Sequence, residues 1–154
     1  MDELSAKYRG TTIIIGIQIA TILALAAAAW FDIFHFEPSI SASTVTILWV
    51  AIIFIAVGSF LLRRTFFNWE KFADTALLKG KTGVINQLRA NALILASFAE
   101  AIAVLGFLIA ALTGDSYQML RAAAIAIIVC LINFPRRGIW AKIIESLEKL
   151  DYRR

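Results

Sequence analysis

Three stretches of this chain, residues 11–31, 44–62 and 91–112, are almost continuously apolar, and together they contain a single ionisable side chain, Glu100. A helix rises 1.5 Å per residue, so each run is long enough to cross the roughly 30 Å hydrocarbon core of a bilayer. Hydrocarbon offers backbone amides no partner, so a run of this kind must satisfy its hydrogen bonds within itself, as a helix does. The alternating polarity of a membrane barrel strand is absent. A fourth run is less uniform. Residues 122–134 are too few to span alone. With Tyr117 to Arg121 included they reach spanning length over 117–135, Arg121 snorkelling to the interface. The expected fold is all-α: one transmembrane domain over residues 1–154, an integral membrane bundle of four helices, with cytoplasmic amphipathic helices in the loop 63–90 and the tail 136–154.

Composition agrees with this expectation. The chain is 60% hydrophobic and 17% charged, against about half apolar and about a quarter charged in a soluble domain. The formal net charge of +4 would suggest nucleic acid if the basic residues formed a soluble patch. They flank apolar runs instead, where they anchor helix ends and face anionic headgroups, so the lipid bilayer is the expected partner and nucleic acid is not. The one cysteine, Cys130, lies inside an apolar run and is read as packing, because one thiol makes neither an internal disulfide nor a cysteine cluster. The run 11–31 exceeds the apolar part of a signal peptide and is read as a retained helix.

The distribution of lysine and arginine predicts the orientation. Lys7 and Arg9 precede the first run. Six basic residues from Arg63 to Arg89 separate the second and third runs, and Arg136, Arg137, Lys142, Lys149, Arg153 and Arg154 follow the fourth. Residues 32–43 and 114–120 carry no lysine or arginine. The positive-inside bias puts both termini in the cytoplasm. The outer loop is aromatic, with Phe34, Phe36 and Pro38, and holds the single histidine, His35, so a bis-histidine haem within one chain is excluded. Trp30, Trp49, Trp69 and Trp140 read as interfacial belt residues.

Two cytoplasmic segments have helical apolar spacing. Phe66, Trp69, Phe72, Ala73 and Ala76 form one face, ended by Gly80 and Gly83. Ile139, Ile143, Leu147 and Leu150 form another after Pro135. Lying on the membrane surface is the first expectation for both, and docking onto a partner the second.

Glu100 is the most informative residue for function. A carboxylate near mid-bilayer is expensive, so it is expected to face a protein interior or a wet cavity. A neutral carboxyl there can bind a proton or ion, or simply hydrogen-bond a neighbouring helix. Ser97 precedes it by three residues and is expected on its face. Gln18 in the first run lies at similar depth and makes a Gln18–Glu100 hydrogen bond possible. Ala92, Ala96, Ala99, Ala103, Gly106 and Ala110 form a small-residue stripe, which lets a helix of this chain or of a second copy approach closely. Asn133, just before Pro135, is read as a cap or helix contact. No phosphate loop, metal-ligand cluster or nucleophile motif is present, so neither an enzyme nor a cofactor is expected.

The stretch Ser97-Phe98-Ala99-Glu100-Ala101-Ile102-Ala103-Val104-Leu105-Gly106-Phe107-Leu108-Ile109-Ala110 resembles the carboxylate-bearing helix of the rotary ATP synthase c subunit. The resemblance covers about one helix in four and implies that Glu100 is a proton- or sodium-binding carboxylate. The second run departs from that family's repeated glycines, having Gly58 alone, and the loop 63–89 is long where that family has a short turn. Glu100-Ala101, Gly106, Thr113-Gly114-Asp115 and Phe134-Pro135-Arg136 together look like a group of small uncharacterised bacterial inner-membrane proteins, which implies a compartment and no activity. The expected function is that of a small non-enzymatic membrane subunit that self-associates or joins a larger membrane complex. The alternative is an ion- or proton-coupled transporter or channel using Glu100.

The orientation is testable with a reporter active only in the cytoplasm. Fused after Arg154 it is expected to be active, and inserted within residues 32–43 it is expected to be silent. A silent carboxy-terminal fusion would reverse the topology.

Overall fold

The places where helices begin and end follow local chemistry. Ser41 accepts from the Thr44 amide, Asn68 from the Glu70 amide at 3.1 Å and Asp115 from the Tyr117 amide at 3.0 Å, each satisfying an otherwise orphaned N–H at a helix start. Gly114, at φ 68°, adopts the left-handed geometry that closes a helix, and its amide bonds the Ala110 carbonyl at 2.9 Å. The computed structural model describes residues 3–31 and 41–151, apart from the side chains of 148, 150 and 151. Within these it contains α1 (Glu3–Trp30), α2 (Ala42–Phe66), α3 (Trp69–Thr113), α4 (Ser116–Asn133) and α5 (Arg137–Asp151), and no strand. By length and composition four helices are able to cross a membrane. The outer-loop residues Phe34, His35, Phe36 and Pro38 lie outside the described residues.

The centre of the bundle is the α3–α4 contact. Ala92, Ala96, Ala99, Ala103, Gly106 and Ala110 are all buried on α3, and Ala122, Ala123 and Ala126 are buried on α4. A Cβ added at Gly106 would collide with the Ala122 methyl and lie 3.5 Å from the Met119 sulfur. The small-residue stripe is therefore buried inside the chain, with Gly106 set against α4. Helices α1 and α2 each pack on both members of this pair, and no packed interface joins α1 to α2 among the described residues. Ile15 and Ile22 seal α1 onto the pair, and Ile52 seals α2. The outward faces are apolar, with Phe54 78% exposed on α2, as suits a lipid-facing surface.

Polar contacts tie the two ends. At one end the Tyr8 hydroxyl donates to the Pro135 carbonyl at 3.2 Å and the Asn91 amide to the Phe66 carbonyl at 3.0 Å. Pro135 has no N–H for the Leu131 carbonyl, which takes the Phe134 amide at 3.3 Å instead, and the next carbonyl, Ile132, accepts from the Arg63 guanidinium. Arg63 thus caps α4, a cation at the negative end of a helix dipole. At the other end Trp49 donates to Gln118 at 3.0 Å, and the Trp30 and Tyr117 rings meet edge-on at 5.9 Å.

The helices continue beyond the apolar spans at the end rich in lysine and arginine. The long arm of α3, residues 81–113, extends about 50 Å at 1.5 Å per residue, about 20 Å more than the hydrocarbon is thick. At Gly80, φ 62° and ψ −167°, the chain reverses. Thr75 Cγ2 comes within 3.5 Å of where a Gly83 Cβ would sit, whereas residues eight apart on one straight helix are about 12 Å apart. Gly80 makes the break. Gly83, expected to share in it, is helical and leaves room for the returning arm.

Apolar residues of the segment 69–79 and of α5 pack into this extension, while Trp69, Leu77, Leu78 and Ile139 stay exposed. Leu4, Phe72, Val84, Ile85, Leu88, Trp140, Ile144 and Leu147 belong to one continuous buried cluster. Tyr8 meets Trp140 edge-on at 5.6 Å, Thr82 donates to Glu3 at 3.0 Å, and Arg137 donates to Ser5 at 3.1 Å. The face expected on α5 is rotated by about one residue. Ile139 is exposed and Trp140, expected in the interfacial belt, is a core residue, because the ring fits against Tyr8. The Leu150 side chain lies outside those described. On the outer face of α5, Lys149 donates to Glu145 at 2.7 Å and holds that exposed carboxyl below its usual range by hydrogen bond and charge.

Gly106→Leu is expected to destabilise the bundle by about 1–3 kcal/mol through overpacking, read as a lower thermal midpoint in detergent, whereas Gly58→Leu, facing open space, is expected to leave the midpoint unchanged.

Candidate functional site

Gln18 projects from α1 toward α3 because it lies between Ile15 and Ile22, the residues that seat α1 on the bundle. Glu100 lies beside Ala99 and Ala103 on the flank of α3 that receives α1. The structure brings the two together: Gln18 Nε2 donates to Glu100 Oε2 at 3.2 Å. Both residues are half-buried. Counted along the helices, Gln18 is twelve residues from Trp30 and Glu100 thirteen from Thr113, which puts the bond about 18–20 Å below the end marked by Trp30 and Tyr117. The pair thus sits well inside the apolar span, on the seam between α1 and α3.

Ser97 does not join the pair. A spacing of three on a helix brings side chains to one general face, but 3.6 residues per turn leaves them offset. Here the offset carries Ser97 onto the exposed side of α3, where its hydroxyl donates to the Leu93 carbonyl at 3.0 Å within its own helix. It is a neighbour on the membrane-facing side of the same seam.

One polar atom of the pair is left over. Gln18 Oε1 is buried with no hydrogen-bond partner among the described residues. A primary amide donates through nitrogen and accepts through oxygen, so Gln18 can donate to an ionised Glu100 or, turned over, accept from a protonated one. The amide suits either charge state of its partner, an arrangement that no sequence spacing shows.

Asn133 was expected to cap a helix or bridge to a neighbour. It is 7% exposed, and neither its amide nitrogen nor its oxygen finds a partner among the described residues. The capping role at that end belongs to Arg63, one of the basic residues expected to anchor helix ends. The signal available in advance was Pro135, which guarantees unpaired carbonyls one turn earlier. Among the described residues no three His, Cys, Asp or Glu side chains gather where a metal could bind. No family model matches the chain, and no curated protein or solved structure matches it.

A double-mutant cycle on Gln18→Leu and Glu100→Leu, read by thermal unfolding in detergent or bicelles, is expected to give a coupling of about 0.6 kcal/mol and no more than about 1.7 kcal/mol, the range for hydrogen bonds between membrane helices. Zero coupling would mean that the bond contributes nothing to stability.

Proposed function

We propose that this chain is a small, non-enzymatic, multi-pass protein of the bacterial inner membrane, with both termini cytoplasmic, acting as an accessory subunit that associates laterally with other membrane helices. The observation that carries this reading is the half-buried Gln18–Glu100 pair on the α1–α3 seam. Helices in lipid gain nothing from expelling water and associate through close packing and hydrogen bonds. A carboxyl and an amide partly open to the bilayer are costly when facing lipid and favourable when facing another helix. The small-residue stripe supports the reading in an indirect way. It is buried within the chain, so it is not free to bind another helix, whereas the polar seam is half-open. Bacterial origin and the cytoplasmic placement of the termini are supported by the lysine and arginine distribution and by the resemblance of the carboxy-terminal half.

A second reading, a proton or ion site at Glu100, is favoured by a specific feature: the Gln18 amide can serve both the neutral and the charged carboxyl. Glu100→Gln and Glu100→Leu separate the two readings. For a lateral subunit, Glu100→Gln keeps the hydrogen-bonding capacity and is expected to leave assembly intact, while Glu100→Leu weakens it by about 5- to 30-fold, equivalent to about 1–2 kcal/mol. Assembly size is measured by light scattering in mild detergent. For an ion site, Glu100→Gln abolishes proton or sodium flux in liposomes and leaves assembly unchanged.

A further inference from the structure

Two side-chain contacts tie α2 to α4, and both span the same offset in sequence. Trp49 donates to Gln118 at 3.0 Å and Arg63 to the Ile132 carbonyl, each pair 69 residues apart. The two helices therefore run side by side in one register from the first tie to the second, a length of about 21 Å at 1.5 Å per residue. On α2, Ile53 and Phe60 fall between the ties at helical intervals from Trp49 and Arg63. On α4, Ile128 lies one turn before Ile132. That spacing keeps all three on the side where the helices meet. Each is more than half exposed, so the seam is an apolar strip open to lipid.

The strip ends in cations. Arg63 is pinned there by its bond to the α4 carbonyl. Arg64 is the next residue, and Arg136 lies just past Pro135, immediately before α5 begins. Both are exposed. Neither α2 nor α4 contains an aspartate or glutamate, and the first on α5 is Glu145. The nearest carboxylate in sequence is the exposed Glu70. Among the described residues no carboxylate pairs with Arg63, Arg64 or Arg136. This end of the seam therefore carries positive charge that the chain does not neutralise.

We infer that the α2–α4 seam binds an anionic phospholipid, its phosphate held by Arg64 and Arg136 and one acyl chain lying along the strip. Arg63 is a positioning residue, since its bond to α4 fixes the height of Arg64. The inference goes beyond a general attraction of basic helix ends to headgroups, and it needs nothing of Glu100. Charge and shape both favour this occupant. Guanidinium groups fork onto phosphate oxygens with two parallel hydrogen bonds. One leaflet contributes half of the roughly 30 Å hydrocarbon core, about 15 Å, which the strip accommodates. The strip lies within the apolar spans, where a lipid chain reaches and an acidic soluble segment does not. Other cations at this end lack the combination. Arg137 is engaged by Ser5, and Lys79 and Lys142 project from the extension beyond the spans.

The test uses the full chain in mild detergent, titrated with phosphatidylglycerol, and with phosphatidylcholine and inorganic phosphate as separate probes. Bound lipid is counted by native mass spectrometry, and the thermal midpoint is read alongside. Phosphatidylglycerol is expected to bind and raise the midpoint, and the other two are not. Arg64→Gln with Arg136→Gln is expected to weaken phosphatidylglycerol binding about 10-fold or more. The lipid-free midpoint of that variant is expected to match the parent's, because both side chains are exposed. Lys79→Gln with Lys142→Gln removes the same charge from the extension and is expected to leave binding unchanged. Phosphatidylglycerol brominated on its chains is expected to quench Ile128→Trp, on the strip, more than Leu23→Trp, on the exposed side of α1. Equal loss from both charge pairs, or full binding by the arginine variant, overturns the site. Equal quenching at the two tryptophans overturns the seam, and an equal midpoint rise with inorganic phosphate overturns the lipid as occupant. So does an acidic protein that co-purifies through Arg64 and Arg136 and is not displaced by phosphatidylglycerol.

Discussion

The close approach of α3 and α4 organises this molecule. Two helices meet where Gly106 faces Ala122, with Ala103 and Ala110 to either side on α3 and Ala126 and Met119 to either side on α4. In hydrocarbon no water is released when apolar side chains meet, so the attraction comes from many short contacts between well-fitted backbones. The narrow separation also makes two shallow grooves, one on each side of the pair. Helix α1 occupies one and α2 the other, which is why they do not meet. A larger residue at the crossing would move α4 and with it the seats of both outer helices.

The same contact determines what the surface can offer. Six small residues that might have served as an adhesive face are buried inside the chain. What faces the bilayer is mostly Ile, Leu, Val and Phe, apart from the α1–α3 seam. There the core-facing set of α3 ends at Ala99 and Ala103, and Glu100 falls at the margin, near enough to Gln18 for a hydrogen bond and still half-exposed. A carboxyl deeper in the core would be inert glue, and one farther out would face lipid with no partner in its own chain.

Outside the apolar spans a different rule applies. There the hydrophobic effect operates, and the amino-terminal turns of α1, the hairpin at Gly80 and α5 bury a cluster of Phe, Trp, Ile and Leu continuous with the membrane core. The left-handed Gly80 allows α3 to fold back on itself. A residue with a Cβ there would carry a penalty of about 1–2 kcal/mol. The extension is thus part of the bundle's own fold, and it fixes the tilt and rotation of α1 and α3 from one end, through Tyr8, Glu3 and Thr82.

By itself the sequence determined the class of structure: all-helical, with four segments long and apolar enough to cross a membrane. Those properties depend on run length, composition and the backbone's need for internal hydrogen bonds, all of which are local. It also singled out Glu100, because one carboxyl in an apolar run is conspicuous, and brought Gln18 to the same depth by counting residues. The tertiary structure decided what local spacing leaves open. It showed that the alanine stripe is buried within the bundle, that Gln18 and Glu100 face each other, that Ser97 lies on the exposed side, that Trp140 is core, and that Arg63 caps the helix that Pro135 ends. The physical reason is the same in each case. Periodicity fixes which residues share a face of one helix, but the rotation of that face toward a neighbour is set by how close the helices come. That distance depends on a glycine and an alanine sixteen residues apart in sequence, on two different helices.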